Sequence, residues 1–278
     1  MPLRRDAVTR VAAAALAIAG LWIVWAQDRP ALTIEKVTNN LWVIMQNGGN
    51  VAAMPTSEGV IIVDDKFAQD APQIVAKVKT ISDKPIRYVL NTHQHGDHTG
   101  GNDAMIAAGA QAIITKQARA NMVAGNQPGL PQITFTDETQ VFFGGKQVAA
   151  KYVGRGHTNG DAVIYFPSER VIHMGDLYVS GIAPFCDSSA GGSIKEWDAT
   201  IRRALALDFD KVIPGHGPVT TKADLTKWAQ TLGTIRERVK SACAGGADDA
   251  AKRLDLKDLV TPFTGMRDMA GMCKELAQ

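Results

Sequence analysis

The sequence predicts an α/β fold, and three observations carry that prediction. Short alternating segments with hairpin turns between them come first and then give way to alternating strands and helices. The second half repeats this plan without repeating its residues. The densest group of chemistry-bearing side chains, His93-Gln94-His95-Gly96-Asp97-His98, sits between the apolar run Ile86 to Leu90 and the pair Gly100-Gly101. That is a strand-to-helix loop, where α/β proteins carry their ligands.

Met1 to Ala26 has the composition of a secretory signal. Arg4, Arg5 and Arg10 precede or open the apolar run Val11 to Trp25, and Val24-Trp25-Ala26 offers a cleavage site. A mature chain from about Gln27, periplasmic or secreted and without stable membrane insertion, is the expectation. An uncleaved anchor is the alternative, because Trp22 and Trp25 are bulky for a cleavage region. Strands are then expected at Leu32 to Val37, Leu41 to Gln46, Val51 to Met54 and Val60 to Asp64, separated by Asn- and Gly-rich turns.

Pro72 to Ile81 reads as a helix with Ile74, Val75 and Val78 on one face. After the His cluster come a helix from about Asn102 to Ala108, a strand at Gln111 to Thr115 and a helix at Lys116 to Val123. Gly125 to Pro131 reads as a mobile surface loop near the active edge. Strands follow at Thr139 to Phe143, Gln147 to Val153, Ala162 to Phe166 and Arg170 to His173. Ile182 to Ser193 is irregular and close enough behind Asp176 to overhang the site. Lys195 to Leu207 and Lys222 to Lys240 read as helices, and Leu254 to Gln278 as a weaker helical tail. The expected organisation is a signal over residues 1–26, one domain over 27–222, and a helical extension over 223–278 packed on it.

Composition excludes one class of partner. The chain has 30 basic and 28 acidic residues, and residues 1–26 hold three Arg and one Asp, so 27 of each remain in the expected mature chain. Near-neutrality without a Lys/Arg run gives nothing to attract nucleic acid; the expected partner, a small-molecule substrate, follows from the chemistry of the histidine pattern below. Oligomeric state is left open. Cys186, Cys243 and Cys273 match no Cys-x-x-Cys spacing. In an oxidising compartment Cys243 and Cys273 can pair and leave Cys186 free, or all three can be small buried residues.

Imidazole and carboxylate are donors suited to Zn²⁺, Fe²⁺ or Mn²⁺, and a tight loop can aim His93 and His95 at one ion and Asp97 and His98 at a neighbour. Three more segments complete a pattern: Gly156-His157-Thr158 after Val148 to Val153, Gly175-Asp176 after Arg170 to His173, and Gly215-His216-Gly217 after Lys211 to Ile213. Over residues 32 to 220 this resembles the metallo-β-lactamase superfamily, whose signature is His-x-His-x-Asp-His. The resemblance implies a four-layer αββα sandwich with one or two metals at one edge. It further implies that His93, His95 and His157 bind a first metal, that Asp97, His98 and His216 bind a second, and that Asp176 bridges them. On residue type alone His216 also fits a turn and Asp176 a helix cap. Asp64 fits either a helix N-cap or turn residue or, by the resemblance, a partner for a metal-loop histidine.

Asp176 stands where one β-lactamase branch has cysteine and another serine, and is similar to the thioesterases, lactonases and other hydrolases of the superfamily. A hard oxygen donor there favours a filled dinuclear site and relaxes selectivity from Zn²⁺ toward Fe or Mn. The lysine often found about three residues on in the β-lactamase branch is Val179 here, so capture of a substrate carboxylate falls elsewhere, with Arg155 and Lys195 as candidates.

Zinc lowers the pKa of bound water to roughly 7, which supplies a nucleophile at neutral pH without serine or cysteine. The expected function is therefore a dinuclear zinc hydrolase, with Asp97 as catalytic residue, that opens a β-lactam, lactone, ester or thioester. No substrate-binding residue follows from the pattern. An alternative on the same fold is a mononuclear non-haem iron dioxygenase of thiols or persulfides, using a set such as His93, His157 and Asp176. A metal-binding protein without catalysis is the third reading.

Overall fold

A strand such as Val60-Ile61-Ile62-Val63, apolar and buried on both faces, is stable only between two layers, and the chain builds those layers on either side of it. The structure, a computed structural model, describes residues 30–260 and 266–278, and Leu32 to Gln278 form one unit. The secretory segment expected over Met1 to Ala26 lies outside the described residues. No helix among the described residues is long and apolar enough to cross a membrane.

The first sheet pairs seven strands in sequence order: β1 (Thr33–Lys36), β2 (Trp42–Met45), β3 (Val51–Pro55), β4 (Val60–Val63), β5 (Ile86–Leu90), β6 (Gln111–Thr115) and β7 (Ile133–Phe135). β1 to β4 are antiparallel, and β4 to β7 are parallel. Parallel neighbours need a crossover. These are α1 (Ala71–Lys79), then α2 (Gly96–Thr99) with α3 (Asn102–Ala107), then α4 (Lys116–Ala124). The second sheet pairs β8 (Glu138–Phe143), β9 (Lys146–Tyr152), β10 (Ala162–Phe166), β11 (Val171–His173), β12 (Lys211–Ile213) and β13 (Thr220–Thr221), again in order. Its one parallel pair, β11 with β12, is crossed over by α5 (Trp197–Leu205).

Period two sorts the side chains into layers. Ile61, Val63, Leu90 and Ile113 meet Val148, Ala150, Ile164 and Ile213 between the sheets. Their neighbours Val60, Ile62, Val89 and Ala112 point outward onto Ile74 and Val78 of α1. On the other side Val163, Ile172 and Val212 pack with Trp197 and Ile201 of α5 and with Leu225 and Leu232 of α6 (Lys222–Cys243). The result is an αββα sandwich. A capping box starts α6, with Thr221 and Asp224 satisfying each other's backbone donors.

Three expectations are corrected. β7 and β13, at three and two residues, are too short to show alternation and escape a periodicity reading. The loop over residues 125–131 does not line the cleft described below. The tail is not one helix: α7 (Ala250–Arg253) and α8 (Met269–Leu276) are separate. Between them Leu254, Leu256 and Val260 are buried against the α5–α6 layer, and the sequence places Pro262 and Gly265 where a continuous helix would need good formers.

Cys243 and Cys273 form a disulfide, Cα atoms 5.3 Å apart, that ties α8 to the end of α6. Closing a loop of 30 residues removes denatured-state entropy. On the chain-entropy account this stabilises by roughly 3.5 kcal/mol, a large share of an ordinary domain's net stability. Cys186 is free and buried, and burial pushes its thiol up, so it stays unreactive.

His173, at the end of β11, joins the two sheets. Its Nε2 donates to the carbonyl of Asn50, just before β3, at 3.0 Å, and its Nδ1 accepts from Gly175 N at 3.1 Å. Burial brings its pKa down to about 4, against the opposing pull of Asp64. The folded value lies below the unfolded one near 6.5, so between those pH values the unfolded chain binds a proton that the folded chain refuses, and stability falls as pH falls. In urea unfolding of metal-free protein, the loss between pH 7 and pH 5 should be about 2 kcal/mol larger for the parent than for His173→Gln. Equal losses would contradict this.

Candidate metal centre

The chain leaves β5 at Leu90 and turns through residues 91–95 into the four-residue α2. Such a turn has few backbone bonds of its own and is held from beneath. Asp64, fully buried at the end of β4, accepts hydrogen bonds from Thr92 N, Thr92 Oγ1 and His98 Nδ1, each at 2.8 Å. Asp64 caps no helix: its backbone takes a left-handed turn conformation at φ 59°, and its carboxylate holds the histidine loop.

The partners of each imidazole assign its tautomer. Thr92 Oγ1 gives its proton to Asp64 and so accepts from His93 Nδ1 at 3.1 Å, leaving the His93 Nε2 lone pair free. His95 Nε2 donates to Asp187 Oδ2 at 2.9 Å, which frees Nδ1. His157 Nδ1 donates to the carbonyl of Phe185 at 2.5 Å, which frees Nε2. The three freed nitrogens converge, with His95 Nδ1 3.1 Å from His93 Nε2 and 2.8 Å from His157 Nε2. Three lone pairs facing one another repel unless a cation lies among them, so these residues fit a metal ion.

A second group forms beside the first. Asp64 fixes His98 with Nε2 facing inward, 3.4 Å from His216 Nε2, and Asp97 Oδ2 lies 3.2 Å from His216 Nε2. Asp176 reaches both groups: Oδ1 is 3.2 Å from His98 Nε2 and 3.4 Å from His216 Nε2, and Oδ2 is 3.7 Å from His157 Nε2. Asp176 Oδ1 is buried yet makes no hydrogen bond of acceptable geometry. His93, His95 and His157 form one set within metal-holding distance, and Asp97, His98 and His216 another; His93, His98 and Asp176 form a third that overlaps both.

The loops carrying Asp176 and His216 are stitched together. Gly215 N donates to the carbonyl of Gly175, Ser180 N donates to that of His216, and the Asn50 side chain donates to the carbonyls of Pro214 and Gly217. Two glycines make the close approach possible. A Cβ on Gly215 would lie 2.0 Å from Asp176 Oδ1, and one on Gly49 would lie 2.3 Å from the His98 ring. Asp161 pins the His157 turn by accepting from Thr158 N and Oγ1, and burial raises its pKa to about 7.

Electrostatics divides the histidines. Burial, then the charges of His98 and His157, hold His93 well below the usual imidazole range, and burial takes His157 down to about 4. Burial acts the same way on His98 and His216, but pairs of carboxylates together outweigh it: Asp176 with Asp64 raises His98 well above normal, and Asp176 with Asp97 raises His216 to about 9. Burial would raise Asp97, yet the His216 hydrogen bond and the His98 charge bring it to about 2. A buried site with Asp64, Asp97 and Asp176 needs positive charge, which protons on His98 and His216 or bound cations supply.

All seven residues singled out in the sequence, His93, His95, Asp97, His98, His157, Asp176 and His216, are thus brought together. Asp187 and the carbonyl of Phe185 are additions that sequence reasoning missed. Arg155 and Lys195 do not reach the cleft: Arg155 pairs with Glu196 and Glu275, and Lys195 is exposed.

Residues 48–216 match the sequence family described as the metallo-beta-lactamase superfamily. The chain belongs to that superfamily, and with it to the metallohydrolases of this fold. It is 29% identical over 193 residues to the 2,4-dinitroanisole O-demethylase subunit alpha of Nocardioides sp. (strain JS1661), covering 67% of this chain and 58% of that protein, so it spans less than two thirds of that relative's length. It is 26% identical over 212 residues to a metallo-beta-lactamase type 2 of Bacillus sp. (strain 170), covering 72% of this chain and 82% of that one. Among solved structures, a metallo-beta-lactamase from Pontibacter korlensis superposes with TM-score 0.67 at 22% identity, covering 73% of this chain and 99% of that one. The DIM-1 metallo-beta-lactamase gives 0.64 at 20% identity, with the same coverage. These structures speak to the fold alone.

Superfamily membership leaves the role of Asp187 to be measured. Asp187→Ala frees the His95 ring to turn, and affinity for an ion held by His93, His95 and His157 should fall by about 10- to 100-fold in chelator competition. Asp187→Asn, which still accepts from His95 Nε2, should retain most of it. Unchanged affinity in the alanine variant would show that His95 is oriented without Asp187.

Proposed function

We propose that the chain is an exported dinuclear metallohydrolase, working with two zinc ions, that opens a carbonyl substrate such as a β-lactam, lactone, ester or thioester. The observation that carries this reading is Asp176, one carboxylate within 3.7 Å of nitrogens from both histidine groups. Divalent ions held by His93, His95 and His157 and by Asp97, His98 and His216 would supply a water of lowered pKa and polarise a carbonyl oxygen.

The chain's own residues do the rest. Asp97 lies on the cleft and, with a pKa of about 2, is too acidic to keep a proton at neutral pH. It orients the attacking water by accepting its hydrogen bond at a carboxylate oxygen. Asp187 and the Phe185 carbonyl hold His95 and His157 with the correct nitrogens inward. Phe67, Ile182 and Phe185 form apolar walls to the cleft, which is about 720 Å³ and has room for a small organic substrate.

Elemental analysis should give close to two ions per chain. Asp176→Asn keeps size but removes the charge between two cations, and the second ion's affinity should drop by more than about 10². Asp97→Ala should lower the catalytic rate by at least about 10² on a panel of β-lactam, lactone and thioester substrates, to which the O-demethylase relative adds 2,4-dinitroanisole. His93, His98 and Asp176 also make a two-His-one-carboxylate set. A single iron per chain, with oxygen consumed in turnover, would replace the hydrolase by a dioxygenase.

Export is supported by the composition of Met1 to Ala26 and by the Cys243–Cys273 disulfide, which suits an oxidising compartment. The mature protein is expected to begin at Gln27. N-terminal sequencing that returns Met1 would favour an uncleaved anchor.

A further inference from the structure

We propose that Trp197 and Trp228 are positioning residues of the metal centre: as a pair of donors on the Leu177 carbonyl they hold Asp176 aimed between the two histidine groups. This rests on the dinuclear reading of Asp176 above and goes beyond it by naming what orients that carboxylate.

Four of the histidines are aimed by partners outside the ligand set. His93 has Thr92, His95 has Asp187, His98 has Asp64 and His157 has the Phe185 carbonyl. The groups around the Asp176 carboxylate are ligands themselves, His98, His157 and His216, and its buried Oδ1 makes no hydrogen bond of acceptable geometry. A carboxylate in that situation is aimed by its backbone.

That backbone is the 3₁₀ turn Gly175–Leu177, and a turn of three residues has too few bonds of its own to hold a direction. Its carbonyls are held from outside instead. Those of Gly175 and Tyr178 accept from Gly215 N at 2.8 and 2.9 Å. That of Leu177, the residue after Asp176, accepts from Trp197 Nε1 at 3.0 Å and from Trp228 Nε1 at 3.1 Å. Two of the chain's five tryptophans are thus committed to one oxygen.

The indoles come from separate elements, Trp197 from the first residue of α5 and Trp228 from α6, and both are buried. A buried indole N–H needs an acceptor, and the two lone pairs of the carbonyl take both. Trp197 also reaches the turn that carries His157. A Cβ on Gly156 would lie 2.5 Å from Leu177 Cδ2 and 2.8 Å from Trp197 Cδ1. The His157 and Asp176 turns therefore pack on one indole, and a shift at Leu177 disturbs both.

The test is a mutant cycle read as zinc affinity in chelator competition, with the fold of each variant checked by urea unfolding of metal-free protein. Trp197→Phe and Trp228→Phe each leave one donor on the carbonyl and should each cost less than about three-fold. The double variant leaves a buried carbonyl without a donor, which turns toward water and carries Asp176 with it. Its loss should exceed about ten-fold and be larger than the two single losses multiplied. In an Asp176→Ala background the same pair should cost less than about two-fold, because the indoles act through that carboxylate. Parental affinity in the double variant, single losses that multiply to the double loss, or an undiminished loss in the Asp176→Ala background overturns the proposal. If the phenylalanine pair does not fold, benzothiophene analogues of both tryptophans, which keep the ring shape and lack the N–H, replace it with the same expectations. Zinc content separates this from the dinuclear reading. If the parent holds one ion and the cycle on that ion still shows a loss that needs Asp176, the indole pair stands and the two-metal reading falls.

Discussion

The Asp64 carboxylate ends a strand of the first sheet and, from beneath, takes hydrogen bonds from Thr92 and His98. Everything at the centre depends on that arrangement. A loop of this kind, with three histidines in six residues, has no regular backbone ladder to define it. Without a buried acceptor its imidazoles would sample several rotamers and both tautomers. With it, the His98 proton is committed to Nδ1, and, through Thr92 Oγ1, so is that of His93. One buried charge is stabilised by three donors, and in return it fixes the direction of two lone pairs.

The same logic is repeated at longer range. His95 is oriented by Asp187, 92 positions away in sequence, and His157 by the carbonyl of Phe185, 28 positions away. This explains what the sequence could and could not reveal. The ligand residues stand at strand ends, and both their residue types and the apolar runs before them are local features. Period-two alternation likewise made the sheets readable, because strands such as Ile86–Leu90 are decided by which face is buried. Asp187 follows Cys186 in a stretch with no periodicity, and the Phe185 contact uses a backbone atom that any residue possesses. Neither leaves a mark in composition. Trp197 and Trp228 lie on separate helices, and only tertiary packing brings their indoles to one carbonyl.

The tail also shows how a weak helical signal misleads. Residues from Leu254 onward carry enough apolar side chains to suggest a helix, but Leu254, Leu256 and Val260 enter the apolar layer from a non-helical stretch. Burial overrode propensity there. The structure compensates for the shortness of α8 by bonding it covalently to α6 and by using its cap residue Asp268 to hold Ser188. The segment that looks most peripheral in the sequence is thereby a brace for the loop that carries Phe185 and Asp187.

The donor groups are drawn from the ends of strands in both sheets, and this has a thermodynamic consequence for the whole chain. An unfolded chain keeps only the local cluster from His93 to His98, whereas the full set exists once the two sheets have docked through contacts such as His173 to Asn50. An ion that binds this set therefore acts by mass action on the global equilibrium. At a free concentration one hundred times its dissociation constant it adds about 2.7 kcal/mol, reduced by whatever the unfolded cluster binds. The melting temperature of this protein is then a property of its solution as much as of its sequence, set by how much free metal the surroundings supply.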